Sequence, residues 1–191
     1  MVFRTTSRKA PTALGLIALL LFLPGCPFSP ESDKGGGGGG DDREPPRTSI
    51  ADTIELYAYA WRQKRLDLYE QLLHEQFEYI PLVEDAADFG WIPEEGWGRT
   101  VELEISSHMF DTAFQSAETE NSVDTIDMTL TITNERAVDE GIEVTTTADI
   151  IVLWNANDGL SSDVRFIFIV VEDPDEPGKF QIIRQEELEA F

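Results

Sequence analysis

Residues 142–154 (IEVTTTADIIVLW) and residues 162–172 (SDVRFIFIVVE) decide the fold of this chain. Both stretches are rich in β-branched and aromatic residues, which favour strands over helices. The turn-forming run Asn157-Asp158-Gly159 separates them. A short connection of this kind between two strands predicts an antiparallel hairpin.

Two further strands are predicted on either side of this hairpin, at residues 123–134 and 179–187. Gly141 marks the turn before the hairpin, and the run Pro174-Asp-Glu-Pro-Gly178 marks the turn after it. Four strands joined by such short connections predict an antiparallel meander.

The first half of the domain is predicted to be helical. Ser49 is a helix N-cap candidate, and it precedes apolar side chains at helical spacing: Ile50, Ile54, Tyr57, Ala58 and Trp61. A second helix is predicted from Leu68 to His74, a strand from Phe77 to Ile80, and a third helix from Thr100 to Phe110. Helices followed by a meander predict an α+β domain, residues 49–191, with the helices packed on one sheet face.

The predicted turns give a register for the sheet. Hairpins centred near Ala137, Asn157 and Asp175 place three pairs opposite each other: Ile132 with Ile142, Ile150 with Val164, and Val170 with Phe180. Because side chains alternate along a strand, this parity assigns one core-facing set. The set is Ile126, Met128, Leu130, Ile132, Ile142, Val144, Thr146, Ala148, Ile150, Val164, Phe166, Phe168, Val170, Phe180 and Ile182.

The opposite face of the sheet is polar in its early strands and apolar in its late ones. Asp149 and Arg165 are predicted to face each other there as a cross-strand ion pair. The apolar members of this outer face are Ile151, Leu153, Ile167, Ile169 and Val171. A contiguous apolar patch marks an interface, so we predict a homodimer, or the docking of an envelope protein, on this surface.

The domain resembles the nuclear transport factor 2-like (SnoaL-like) superfamily. The resemblance rests on Tyr57-Ala-Tyr-Ala-Trp61, the segment Lys64–Phe77, the segment Trp97–Phe110 and the closing segment Phe180–Glu187. It implies a cone, in which a curved sheet wraps round helices and encloses a pocket. Members include isomerases, cyclases, dehydratases and binders without catalysis, and they often dimerise through the outer sheet face. The fold alone therefore does not fix the function.

Several side chains are candidates for lining such a pocket. They are the aromatic residues Tyr57, Trp61, Tyr79, Trp91 and Trp97, together with His108, Thr146 and Arg184. General acid–base catalysis needs a titratable group within hydrogen-bond reach of the substrate. The predicted inner face of residues 123–172 carries none, which argues against an enzyme.

Three functions remain open from the sequence. The one we favour is a domain that binds a small apolar ligand or a partner protein without catalysis. An isomerase, cyclase or hydrolase is the second, and it would need His108, Tyr79 or Arg184 to converge with an acid such as Glu55 or Glu186. A structural subunit of an envelope complex is the third.

The first 25 residues are typical of a signal peptide. Arg4, Arg8 and Lys9 precede an apolar run, residues 13–23, which is too short to span a bilayer. The run Leu23-Pro24-Gly25-Cys26 resembles the bacterial lipobox, from which only Pro24 departs. This resemblance implies acylation of Cys26, the one cysteine of the chain, and export to the cell envelope on a lipid anchor.

A polar tether is predicted between the anchor and the domain. Residues 26–48 contain six consecutive glycines, Gly35 to Gly40, and one apolar side chain after the cysteine. Such a segment buries too little surface to fold, and a Gly-rich chain of this length spans roughly 25 Å.

The charge of the chain excludes nucleic acid as a partner. Its formal net charge is −23, and loss of residues 1–25, with three basic and no acidic residues, makes it −26. With two histidines and one cysteine predicted to be acylated, the usual zinc sets cannot form, and no calcium or phosphate loop matches its motif. The sequence predicts neither a metal nor a cofactor.

Overall fold

The structure of the protein is a computed structural model that describes residues 43–82, 93, 95–115, 122–155 and 158–188. The lipobox, most of the tether and Trp91 lie outside these residues. The described elements, in chain order, are α1 (Ile50–Arg62), α2 (Leu66–Leu72), β1 (Leu73–Ile80), β2 (Trp97–Gly98), α3 (Arg99–Phe110), β3 (Thr125–Val138), β4 (Gly141–Leu153), β5 (Gly159–Glu172) and β6 (Phe180–Leu188).

The strands form one curved sheet in the order β2-β1-β6-β5-β4-β3. Strands β3 to β6 are successive antiparallel neighbours, which confirms the predicted meander. Strand β1 runs parallel to β6, so the sheet is mixed. The helices pack against one face, called the inner face below, and the predicted α+β class is confirmed.

Helix α1 begins where the sequence predicts. Ser49 is its N-cap, and the Ser49 hydroxyl accepts a hydrogen bond from the backbone N–H of Asp52 at 3.1 Å. Residues one helical turn apart share a face, and on this face Ile54, Tyr57 and Ala58 are buried. The apolar stripe of α1 therefore supplies the helical side of the core.

The second helix begins and ends two residues earlier than predicted. Helix α2 ends at Leu72 and β1 begins at the next residue, so His74 lies in a strand and not at the end of a helix. The reason is tertiary pairing, because Leu73 is extended and lies opposite Ile182 of β6. That long-range contact overrides the helical pattern of the local sequence.

The predicted registers were wrong, but the predicted faces were right. Ile132 lies opposite Thr146, Ile150 opposite Ser162, and Val170 opposite Ile182. Counted from Ile132, Ile150 and Val170, each displacement is an even number of residues, so the predicted core-facing residues of β3, β4 and β5 keep their face. A β-bulge after Ile132 shifts the pairing of the rest of β3 by one residue, and Ile142 lies opposite Ala137. The buried inner-face residues are Ile126, Met128, Val144, Thr146, Ala148, Val164, Phe166, Phe168, Val170 and Ile182.

A β-bulge in β6 changes the face of the residues that follow it. Val170 pairs with Ile182, but the preceding residue Ile169 pairs with Arg184, so β6 carries one extra residue. Beyond this point Arg184 points outward, which corrects its prediction as a pocket residue. Gln185 and Glu187 turn inward and are buried instead.

Arg47, which lies in the segment predicted as tether, is buried in the domain with 6% of its surface exposed. Its guanidinium donates hydrogen bonds to the carbonyl of Gln71 at 2.7 Å, to Asp173 at 3.1 Å and to Glu176 at 2.7 Å. Its carbonyl accepts from the backbone N–H of Phe180. The ordered part of the domain therefore starts before Ser49.

The described helices are all short. None of them combines the length and the apolar character that a membrane-spanning helix requires.

Candidate functional site

An aromatic cluster fills the centre of the inner face. The Tyr57 ring lies 5.2 Å from Phe168 of β5 and 5.4 Å from Tyr69 of α2, both edge-on. The Trp61 ring lies 5.1 Å from Phe110 at the end of α3. Because the rings come from three helices and one strand, they hold the helices against the sheet.

Glu102 of α3 lies at the centre of a buried hydrogen-bond network, with 5% of its surface exposed. It accepts hydrogen bonds from the Tyr69 hydroxyl at 2.6 Å, from Trp97 Nε1 at 2.8 Å and from the Ser106 hydroxyl at 3.3 Å. The network joins α2, α3 and β2 around one carboxylate. The sequence carries a signal for it, because Glu102, Ser106 and Phe110 follow each other at four-residue spacing on one helix face.

Glu187 of β6 is a second buried carboxylate, also 5% exposed. Its Oε2 accepts a hydrogen bond from the Tyr79 hydroxyl at 2.8 Å. Tyr79 in turn stacks on Trp97, with ring centroids 4.3 Å apart, and both rings are half-buried. We call Tyr79, Trp97 and Glu187 the edge site, because β1, β2 and β6 lie together at one side of the sheet.

Gly96 makes the stacking of the edge site possible. Its φ of +78° lies in the left-handed region, and a Cβ added there would lie 1.9 Å from the Tyr79 carbonyl oxygen. Only glycine allows the backbone to approach β1 this closely before Trp97 pairs with Tyr79.

Two buried oxygens near the edge site have no hydrogen-bond partner: Oε1 of Glu187 and Oγ1 of Thr146. Thr146 lies opposite Phe166, and Phe166 lies opposite Glu187, so the two residues flank one aromatic side chain. They are two strand spacings apart, or about 10 Å. The indole N–H of Trp61 is the third such group among the described residues.

Burial and neighbouring carboxylates raise the pKa of the tyrosine hydroxyl groups on the inner face. Burial, with the nearby Glu187 carboxylate, raises the pKa of Tyr79 well above its usual value. Burial and Glu102 do the same to the pKa of Tyr69 and of Tyr57. Burial also raises the pKa of Glu187, although the hydrogen bond from Tyr79 opposes this. The tyrosines are therefore hydrogen-bond donors, and Glu187 is the inner-face acid whose titration is shifted upward.

Four of the eight pocket candidates lie on the inner face, where each is hydrogen-bonded to or paired with another inner-face residue. They are Tyr57, Tyr79, Trp97 and Thr146. Trp61 joins them through the aromatic cluster. His108 is exposed and stacks on Phe114, so its prediction as a pocket residue was wrong. Arg184 contacts Glu78 and Glu140 on the outer side, and Trp91 is outside the described residues.

The outer face differs from its prediction in two ways. Ile169 is already buried, at 4% exposure, and it pairs with Glu143 on one side and with Arg184 on the other, both of which have long side chains. Asp149 lies opposite Asp163 and not opposite Arg165, so a pair of like charges replaces the predicted ion pair. The remaining apolar candidates are Ile151, which is 41% exposed, and the half-buried Leu153, Ile167 and Val171. The dimer on this surface stays a prediction.

Charged groups elsewhere on the described surface do not form a metal centre. His74 lines an open cleft of about 700 Å³ between α2 and the β5–β6 turn. Among the described residues, no three histidine, cysteine, aspartate or glutamate side chains converge as metal ligands.

Comparison with known proteins relates this chain to others through its fold. Neither a protein-family model nor a curated protein matches the sequence. Three of the similar solved structures come from Novosphingobium aromaticivorans and Rhodospirillum rubrum. A candidate scytalone dehydratase from the former has 14% identity and a TM-score of 0.54, over 72% of this chain and 79% of its own.

A candidate aromatic ring hydroxylase from Novosphingobium aromaticivorans has 14% identity and a TM-score of 0.52, over 74% of this chain and 86% of its own. A nuclear transport factor 2-like protein of unknown function in nutrient uptake from Rhodospirillum rubrum has 12% identity and a TM-score of 0.51, over 75% of this chain and 99% of its own. The domain has the nuclear transport factor 2-like cone fold, as its resemblance implied.

Proposed function

We propose that this chain is a membrane-tethered lipoprotein whose cone-fold domain binds a small, largely apolar ligand on the inner face of the sheet. The observation that carries the proposal is the pair of buried, unpartnered oxygens, on Glu187 and Thr146, on either side of Phe166. Folded proteins leave few buried polar groups unpaired, because each costs about 1–3 kcal/mol. A ligand that lies over Phe166 and bonds to both oxygens would remove this cost.

The edge site supports the same proposal from its exposed side. Tyr79 and Trp97 are half-buried aromatic side chains, and rings of this kind provide apolar contact area with a polar handle. Apolar walls with few, well-placed polar groups are characteristic of small-molecule sites. The ligand is therefore expected to contact the two rings and the Glu187 carboxylate.

The predicted tether would keep this binding domain close to a membrane. The lipobox around Cys26 and the Gly-rich segment after it support an anchored domain that stands off the membrane. The strongly negative charge of the mature chain supports the same arrangement, since anionic lipid headgroups would repel the domain.

An acid–base enzyme is the rival function, and one observation favours it. The raised pKa of Glu187 makes this carboxylate a stronger proton acceptor than an ordinary glutamate. We favour binding because Tyr57, Tyr69 and Tyr79 hold their protons and the inner face of β3, β4 and β5 carries no second acid or base. Proton exchange next to the carbonyl of 2-tetralone, followed by NMR and abolished in Glu187→Gln, would decide for the enzyme.

The binding proposal is tested with the full chain purified in detergent and with 2,6-dihydroxynaphthalene as a probe, because this molecule carries a hydroxyl group at each end. A ligand at about a hundred times its Kd stabilises the folded state by about 2.7 kcal/mol, which thermal unfolding detects. We expect saturable stabilisation that Glu187→Gln and Thr146→Val weaken and that the outer-face control Asp149→Asn leaves unchanged. The absence of saturable binding, or equal binding by all four proteins, would refute the proposal.

A further inference from the structure

The edge site contains a carboxylate oxygen that is closed to solvent and free of any partner. Glu187 is 5% exposed, its Oε2 is occupied by the Tyr79 hydroxyl, and its Oε1 has no hydrogen-bond donor. An ionised carboxylate is only an acceptor of hydrogen bonds, with room for several donors. Among the described residues, none supplies a donor to Oε1, so this oxygen is open to a donor from a ligand.

The described part of the inner face pairs neither of its buried carboxylates with a cation. None of the ion pairs between described residues includes Glu102 or Glu187, and their hydrogen-bond donors there are uncharged tyrosine, serine and tryptophan groups. A buried carboxylate without a cation retains a desolvation cost that neutral donors repay only in part. A cation at this site would recover more of that cost than a neutral donor would.

The walls of the edge site suit a cation as well. The Tyr79 and Trp97 rings stack 4.3 Å apart beside Glu187, and both retain part of their surface in solvent. The face of an aromatic ring carries negative potential, and tryptophan is the strongest cation binder of the aromatic residues. A buried carboxylate behind two such rings forms a site whose electrostatic potential is negative throughout.

The charge of the whole chain acts in the same direction at longer range. The mature protein is predicted to carry a net charge of −26, which draws cations toward the domain and repels anions. An anionic ligand would be repelled at long range by the net charge of the domain and at short range by the Glu187 carboxylate.

We infer that the group recognised at the edge site is an organic ammonium ion, with its N–H groups directed to Glu187 Oε1 and its carbon body against Tyr79 and Trp97. This inference rests on the proposed binding function and changes its ligand from a neutral apolar molecule to an apolar amine. Because Oε1 is closed to solvent, entry of the ammonium group requires a surrounding side chain to move.

Three probes of matched shape and different charge test the inference: 2-phenylethylammonium, 2-phenylethanol and phenylacetate. Binding to the full chain in detergent is measured by calorimetry at mildly alkaline pH, which favours the ionised form of Glu187 and keeps the amine protonated. Charge-assisted hydrogen bonds are roughly twice as strong as neutral ones, so we expect the ammonium to bind about tenfold tighter than the alcohol. Phenylacetate should bind most weakly.

Two variants and one control assign this preference to the carboxylate. Glu187→Gln keeps the shape and removes the charge, so the ammonium and the alcohol should bind equally. Glu186→Gln changes the neighbouring residue, whose side chain points to the opposite face of β6, and should keep the preference. Tyr79→Phe removes the hydroxyl that competes for the carboxylate, and should also keep it, which provides a test if Glu187→Gln fails to fold.

The outcomes separate the inference from the function on which it rests. An alcohol that binds as tightly as the ammonium, or a preference that survives Glu187→Gln, overturns the ammonium assignment and leaves the cone as a binding domain. A preference lost in Tyr79→Phe also overturns it, because the hydroxyl would then be the recognising group. If neither these three probes nor 2,6-dihydroxynaphthalene binds, the binding function itself is overturned.

Discussion

Arg47→Met should destabilise the domain more than its position before the first helix suggests. The Arg47 side chain and its partner Asp173 are each only 5% exposed, and their nearest atoms lie 3.1 Å apart. The same guanidinium caps the end of α2 through the Gln71 carbonyl at 2.7 Å. Methionine keeps much of the apolar volume of arginine and removes these hydrogen bonds together with the charge.

The size of the effect follows from what remains around Asp173. Removal of one partner of a buried ion pair costs about 3–5 kcal/mol, because the other charge stays buried without compensation. Asp173 Oδ1 still accepts from the backbone N–H groups of Asp175 at 2.9 Å and Glu176 at 3.2 Å, which favours the lower end of this range. The ion pair with Glu176 adds little, since that carboxylate is 48% exposed.

We therefore expect a loss of about 3 kcal/mol, or roughly 6–12 °C in Tm for a domain of this size. Thermal and urea unfolding of the full chain, followed by far-UV circular dichroism, measure it. Arg43→Met is the matched control, since Arg43 is exposed and such substitutions change stability by at most about 0.5 kcal/mol. If Arg47→Met unfolds within 0.5 kcal/mol of Arg43→Met, the burial of the Arg47–Asp173 pair does not stabilise the fold.

Four further predictions concern the anchor, the core, the edge site and the outer face. Cys26→Ser should abolish membrane attachment, and a mature wild-type protein without a palmitate label would contradict the lipobox. Trp61→Ala should lower the free energy of unfolding in urea by about 3 kcal/mol, because the Trp61 ring contacts three other rings of the core. A decrease below about 1 kcal/mol would show that Trp61 does not belong to the core. Because burial raises the pKa of Glu187, the folded state binds its proton more tightly, so wild-type stability falls as pH rises from the ordinary glutamate pKa through the raised one. Glu187→Gln should abolish this decrease, so the variant should be more stable than the wild type only at the higher pH. Unfolding measured at several pH values checks this. Asp163→Asn should raise stability by about 0.5 kcal/mol, since it relieves the repulsion of Asp149 across the strands; a lower melting temperature would show that the two aspartates attract.

The fold followed from the sequence because its signals are periodic and redundant. Alternation along β3, β4 and β5 gave the buried face even though every register was displaced, because an even displacement leaves a period of two unchanged. The N-cap at Ser49 followed from local chemistry alone. Features that depend on one residue of chain length, or on pairing between distant strands, did not follow.

The edge site shows why its residues were only partly predictable. Tyr79 and Trp97 are conspicuous as aromatic residues, and both proved to lie on the inner face. Glu187 was missed because it faces inward only through the bulge after Ile182, and the same bulge turned Arg184 outward. The alternation of side chains along a strand does not reveal a single extra residue. Here that residue places an acidic side chain inside the cone in place of a basic one, so the site would recognise a ligand of the opposite charge.

The position of Arg47 relates this site to the anchor. Arg47 contacts Asp173 and Phe180 at the turn between β5 and β6, so the tether joins the domain there. Glu187 lies near the other end of β6, and a rise of about 3.3 Å per residue separates it from Phe180 by roughly 23 Å. The edge site and the point of attachment therefore lie at opposite ends of one strand. In a lipoprotein anchored through Cys26, the tether would therefore not obstruct the edge site, and the flexible Gly-rich segment would allow this site to face the solution, from which an amine attracted by the charge of the domain would arrive.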